Sequence, residues 1–86
     1  MSAKQMTSGL QDRFLNQLRK SKTHVAIFLS NGFQLKDAVI LGFDAFVLIL
    51  HTGGKQMMLY KHAISSITPF ETIEFPMEAE KGNNDD

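Results

Sequence analysis

Eighty-six residues, 43% hydrophobic and 21% charged, accommodate one small domain and exclude a second. The nine basic and nine acidic side chains cancel, yet residues 1–69 carry a net +5 and residues 70–86 a net −5, so neutrality excludes no polyanionic partner. No cysteine is present, which excludes disulfides and thiolate metal sites, and the longest mostly apolar run, Ala45 to Leu50, is far too short to span a bilayer.

Residues 1–7 are small and polar and read as a flexible N-terminus ahead of a domain over 8–69. They lack the apolar stretch of a signal peptide, so a cytoplasmic protein is expected. Ser8-Gly9-Leu10-Gln11 fits a capping box, in which the serine accepts from the third backbone N–H and the glutamine reaches back. Leu10, Phe14, Leu15 and Leu18 then recur at helical spacing, predicting a helix that ends near Lys20 to Lys22. Arg19 and Lys20 complement its C-terminal dipole.

From Thr23 the period falls to two. Val25, Ile27 and Leu29 alternate with His24, Ala26 and Phe28, the pattern of a half-buried strand. Asn31-Gly32 predicts a type I′ hairpin turn, whose two central residues both need positive φ. A second strand runs from Phe33 to about Leu41 and is broken by Gly42-Phe43-Asp44; a third covers Ala45 to His51. Thr52-Gly53-Gly54-Lys55 is another turn, Gln56 to Tyr60 a fourth strand, and Ile64 to Thr68 a fifth, stopped by Pro69. One helix followed by five short strands predicts a mainly β fold, a small open antiparallel barrel. A chain this short buries only about 60% of its unfolded surface, so self-association is expected. Phe70, Ile73 and Phe75 alternate with Glu71 and Glu74 in a brief extended segment that opens an acidic tail, 70–86, disordered from Met77 onward.

Catalysis finds no support. His24, His51 and His62 are not spaced with further ligands for zinc, no strand–turn–helix elbow presents a serine, and no glycine-rich loop opens a helix. Neither an enzyme nor a bound metal or cofactor is expected. Tyr60-Lys61-His62 sets a ring, a cation and an imidazole at a strand end, where they could converge on a nucleobase or phosphate; the bland reading is a polar turn with Tyr60 packed in the barrel. Phe43 and Phe46 flank a turn and are either core or a base-stacking surface, a contact worth about 1–3 kcal/mol per base. Parity groups Phe46 with Leu48 and Leu50. Arg19, Lys20 and Lys22 form a basic cluster, either solvated or phosphate-contacting. Gln11 is most simply a cap, and Phe28, Phe33 and Leu35 are most simply core or interface.

Tyr60-Lys61-His62-Ala63-Ile64-Ser65 resembles the second Sm-type motif of the Hfq family, the bacterial Sm-like RNA chaperones. Leu10-Gln11-Asp12 with Phe14-Leu15-Asn16, Asn31 to Lys36, Gly42-Phe43-Asp44, Phe46 and Gly54-Lys55-Gln56 are also similar, so the likeness covers residues 10–69. The resemblance implies an Sm-like fold, one N-terminal helix and a bent five-stranded antiparallel sheet, assembled into a homo-hexamer by pairing the fourth strand of one subunit with the fifth of the next. It implies single-stranded RNA on both faces of the ring. U-rich RNA falls to Gln11, Phe46, Lys61 and His62, with Phe46 stacking the base. A-rich RNA falls to Phe28, Gly32, Phe33, Gln34, Leu35, Lys36, Gln56 and Ser66. Arg19, Lys20 and Lys22 correspond to a basic rim that promotes pairing of small regulatory RNA with mRNA in post-transcriptional regulation and the stress response. Asp44 and Tyr60 take structural parts. Six weak pockets would act through effective concentration, without any covalent step. The alternative is an Sm-like ring with weak RNA affinity that acts mainly through protein partners.

Three departures from the family pattern carry expectations. Ala45 stands where most members have Gln, Asn or Lys, which removes one polar contact to the base, and Ser66 replaces a usual Thr. Asp37-Ala38 occupies the place of a strand-two glycine, in a segment from Gly32 to Phe43 that is one residue longer. The extra residue is predicted to form a β-bulge that supplies the bend the glycine otherwise permits. Finally, six bodies of +5 would give a ring of about +30, able to steer phosphate, while the acidic tails are expected to compete with RNA for the rim.

Overall fold

The computed structural model describes residues 2–74, with side chains from residue 9 onward. Helix α1 (Ser2–Ser21) starts well before the expected capping box, so Ser8 lies inside it and does not cap it. Ala3-Lys4-Gln5-Met6 are strong helix formers, and their propensity extends the helix upstream of that local start signal. At the other end Lys22 takes φ 55° and the Thr23 N–H reaches the Leu18 carbonyl at 3.3 Å, the bonding of a Schellman cap.

Five strands follow: β1 (Val25–Leu29), β2 (Gln34–Phe43), β3 (Val47–Thr52), β4 (Lys55–Tyr60) and β5 (Ile64–Pro69), with a 3₁₀ turn (Lys61–Ala63) between the last two. They form one antiparallel sheet in the order β4-β3-β2-β1-β5, the predicted helix-plus-five-strand architecture. Its two edges, β4 and β5, have no further partner within the described chain.

The two expected tight turns differ. Gly53 and Gly54 take φ of 60° and 83° between paired Thr52 and Lys55, a two-residue type I′ turn. The Asn31-Gly32 expectation is corrected: only Gly32 has positive φ, at 96°. Here the Gly32 N–H bonds the Leu29 carbonyl at 3.0 Å and the Leu29 N–H bonds the Phe33 carbonyl at 2.8 Å, so the loop has three residues, Ser30 to Gly32. The Asn31 side chain spends its oxygen on the Phe33 N–H instead.

The predicted bulge is present. Ile27 pairs with Leu35 and Val25 with Ala38, so one extra residue of β2 is accommodated at Lys36–Asp37 opposite Ala26. A second shift, at Leu41, separates the Ile40–Leu50 and Gly42–Ile49 pairs, and a third falls at Ser65 opposite the Phe28–Leu29 step. Bulges sharpen strand twist, and β2 carries two of them, which bends the sheet around the helix.

The core sits in that bend. Leu15 and Leu18 of α1 meet Val25, Ile27, Ala38, Ile40, Leu48 and Leu50, one inward face of three strands. Leu10, although on the apolar stripe of the helix, is 51% exposed. Each buried aliphatic side chain contributes about 1.5–3 kcal/mol relative to exposure. The body also continues past Pro69: the Phe70 N–H bonds the His24 carbonyl at 2.9 Å and Ile73 packs against the core. The remainder of the expected acidic tail, 75–86, lies outside the described residues, as does the expectation that it competes for the rim.

Candidate nucleic-acid interface

Asp44 organises the first group of side chains. Its carboxylate accepts from the N–H groups of Phe46 at 2.8 Å and Val47 at 2.9 Å, and its own N–H bonds the Val47 carbonyl at 3.0 Å. Those two backbone donors, reinforced by the nearby Lys61 cation, hold the Asp44 carboxyl below its ordinary pKa. The closed turn removes residues 45 and 46 from the pleat. Phe46 is therefore 76% exposed, whereas parity had grouped it with buried Leu48 and Leu50.

The same turn docks against the 3₁₀ segment, where the Lys61 N–H bonds the Phe46 carbonyl at 2.8 Å. The Lys61 ammonium donates to Gln11 Oε1 at 3.0 Å, lies 3.9 Å from Asp12 Oδ1 and sits 5.3 Å from the centre of the Phe43 ring. Only 15% of this side chain is accessible. Gln11 is thus a partner of Lys61 and not a helix cap. Beside it, the Tyr60 and His62 rings stack with centroids 5.8 Å apart, and both are exposed, so Tyr60 does not pack in the barrel. An open cleft of ≈ 260 Å³ runs from Gln11, Phe14 and Lys61 along β5 to Ile67. Gln11 and Lys61 thus share one cleft, while Phe46, joined to Lys61 through its backbone, and His62, stacked on Tyr60, flank it without lining it. Asp12 and Phe43 complete the surroundings of Lys61; both lie in segments that carry the resemblance, and Phe43 was expected as core or a stacking surface, but neither was expected as a partner of Lys61.

A second group lies on the outward side of β1, β2 and β5. Phe28 pairs with Gln34 on one side and with Ser66 on the other, giving a continuous exposed row. Phe33 is 70% exposed at the mouth of the Gly32 loop, and Lys36 is exposed beyond it. Two of the expected residues stand apart. Leu35 packs against the core. Gln56 pairs with His51 on β4, the edge strand farthest from β5, so within one chain three strands separate it from Ser66.

Arg19, Lys20 and Lys22 are exposed at the C-terminal end of α1, and the Arg19 guanidinium is braced by Asn16 Oδ1 at 2.6 and 3.2 Å. Among the described residues no cluster of three or more His, Asp or Glu side chains could hold a metal ion, and no helix is long and apolar enough to cross a membrane.

Residues 10–74 match the family model described as Hfq protein. The chain is 58% identical over 69 residues to the RNA-binding protein Hfq of Clostridium acetobutylicum, covering 80% of this chain and 84% of that one. It is 49% identical over 70 residues to the RNA-binding protein Hfq of Bacillus subtilis, covering 81% of this chain and 94% of that one. Among solved structures, the crystal structure of the pleiotropic translational regulator Hfq superposes with a TM-score of 0.67 at 42% identity, over 70% of this chain and 98% of that one.

Proposed function

This chain belongs to the Hfq family, whose relatives are named as RNA-binding proteins and not as enzymes, and on that premise we propose that it is a cytoplasmic RNA chaperone. In this reading six copies close a ring, single-stranded U-rich RNA binds on the helix side, and A-rich RNA binds on the opposite side. Holding a small regulatory RNA and an mRNA together, with the basic end of α1 reducing the repulsion between their backbones, promotes their pairing.

The Asp44 turn carries the proposal. An aromatic ring 76% exposed, braced by backbone bonds on both sides, one of them from Lys61, whose ammonium is fixed by Gln11, is an arrangement suited to stacking a base near a cation for its phosphate. On the opposite side, the exposed Phe28, Phe33, Gln34 and Ser66 supply rings and polar groups in one row. Two open edges support ring closure, because pairing β4 of one subunit with β5 of the next satisfies both and brings Gln56 toward the neighbour's Ser66 row.

Binding of oligo-U and oligo-A at two salt concentrations tests the assignment. Both oligomers should bind, more weakly at high salt, and Phe46→Ala or Lys61→Ala should abolish the oligo-U component alone. Indifference to both substitutions would discard the pocket. Native mass tests the ring, since a species at 9.7 kDa would be the lone chain.

A further inference from the structure

Neighbouring residues of a regular strand point to opposite faces. The β2 bulge breaks that rule at Lys36 and Asp37: both are exposed, between core-packed Leu35 and buried Ala38. An acid is thereby set beside the cation proposed for A-rich RNA. A free carboxylate there would neutralise the lysine and repel phosphate.

The Asp37 carboxylate is held elsewhere. Its Oδ1 is hydrogen-bonded to His24 Nδ1, and its backbone carbonyl accepts from the Thr52 hydroxyl at 2.8 Å. His24 is anchored in turn, its carbonyl accepting the Phe70 N–H at 2.9 Å and its ring lying 6.3 Å from the Phe70 ring. Lys36 forms no ion pair with any described residue. The two side chains are 56% and 60% accessible, and ion pairs so exposed add little to stability. What the contact does decide is the direction in which the carboxylate points.

We infer that His24 is a positioning residue for the A-rich face: by engaging Asp37 it keeps Lys36 available to the RNA backbone. The inference rests on the A-rich reading of that face.

The test measures oligo-A and oligo-U binding by the full chain and by His24→Ala, Asp37→Asn and the double variant. His24→Ala should weaken oligo-A by about two- to fivefold for each subunit engaged, with a shallower salt dependence because Lys36 is then paired within the protein. Asp37→Asn should bind oligo-A at least as tightly as the parent, and adding it to His24→Ala should restore binding. Oligo-U binding should stay constant throughout, reporting an intact fold. Unaltered oligo-A binding in His24→Ala overturns the inference, and so does a loss that Asp37→Asn fails to rescue, which would make His24 merely structural. A parent protein that binds oligo-U but not oligo-A overturns the reading of the face itself, and the inference with it.

Discussion

The two outward-facing regions are built by opposite means. On the helix side, three segments distant in sequence are cross-braced: Gln11 to Lys61 by side chains, Lys61 to Phe46 by backbone, and Asp44 to its own turn. On the other side the residues simply follow sheet register, with Phe28 between Gln34 and Ser66, and one inserted acid needs an extra contact to hold it. The first is preorganised by tertiary bonds, so its geometry resists change around it. The second inherits every adjustment of the strands, so one inserted residue alters its charge.

Predictions that break or sharpen this contrast differ in size. Leu18 is fully buried where α1 meets the sheet, so Leu18→Ala should cost about 2–5 kcal/mol in denaturant unfolding and remove both faces together. Phe46→Ala should lose about 1–3 kcal/mol per stacked base toward oligo-U while leaving oligo-A and the unfolding midpoint unchanged, because the ring buries little of the core. Deleting Asp37 should restore a regular β1–β2 ladder but demand the bend from Ala38, costing about 1–2 kcal/mol of stability; Ala38→Gly in the shortened chain should recover it in thermal melts.

The smallest effect concerns acid. Because the Asp44 carboxyl binds its proton less readily folded than unfolded, its contribution is complete above the unfolded value, about 3.9, and disappears as pH falls through the lower folded value. Thermal midpoints followed from about pH 5 to about pH 3 should therefore decline, and less steeply in Asp44→Asn. An equal decline would remove the turn as a source of acid sensitivity.

Periodicity was enough to read the strand pattern, because one face of each central strand is buried, as Val25, Ile27, Leu48 and Leu50 are. The bulge was legible through the family resemblance, since a segment one residue longer than the family pattern has to put its surplus residue outside the ladder. Local signals failed where another bond competed. The Ser8 box lost to upstream helix propensity and the Asn31-Gly32 turn to an extra loop residue, while the exposure of Phe46, which parity left open, is decided by the Asp44 carboxylate. The packing of Lys61 over Phe43 and beside Asp12 joins residues far apart in sequence, which periodicity does not connect.

Gln56 and Ser66 lie on opposite edge strands of one chain. If ring closure joins them, each A-rich site is a shared possession of two gene products, and defects in it become complementable. A Gln56→Ala chain and a Ser66→Ala chain, each lacking intact sites alone, would together rebuild the wild-type pair at about one interface in four of randomly mixed rings. Two defects on the same half, a Phe28→Ala chain mixed with a Ser66→Ala chain, would rebuild none, because Phe28 and Ser66 are paired within one subunit.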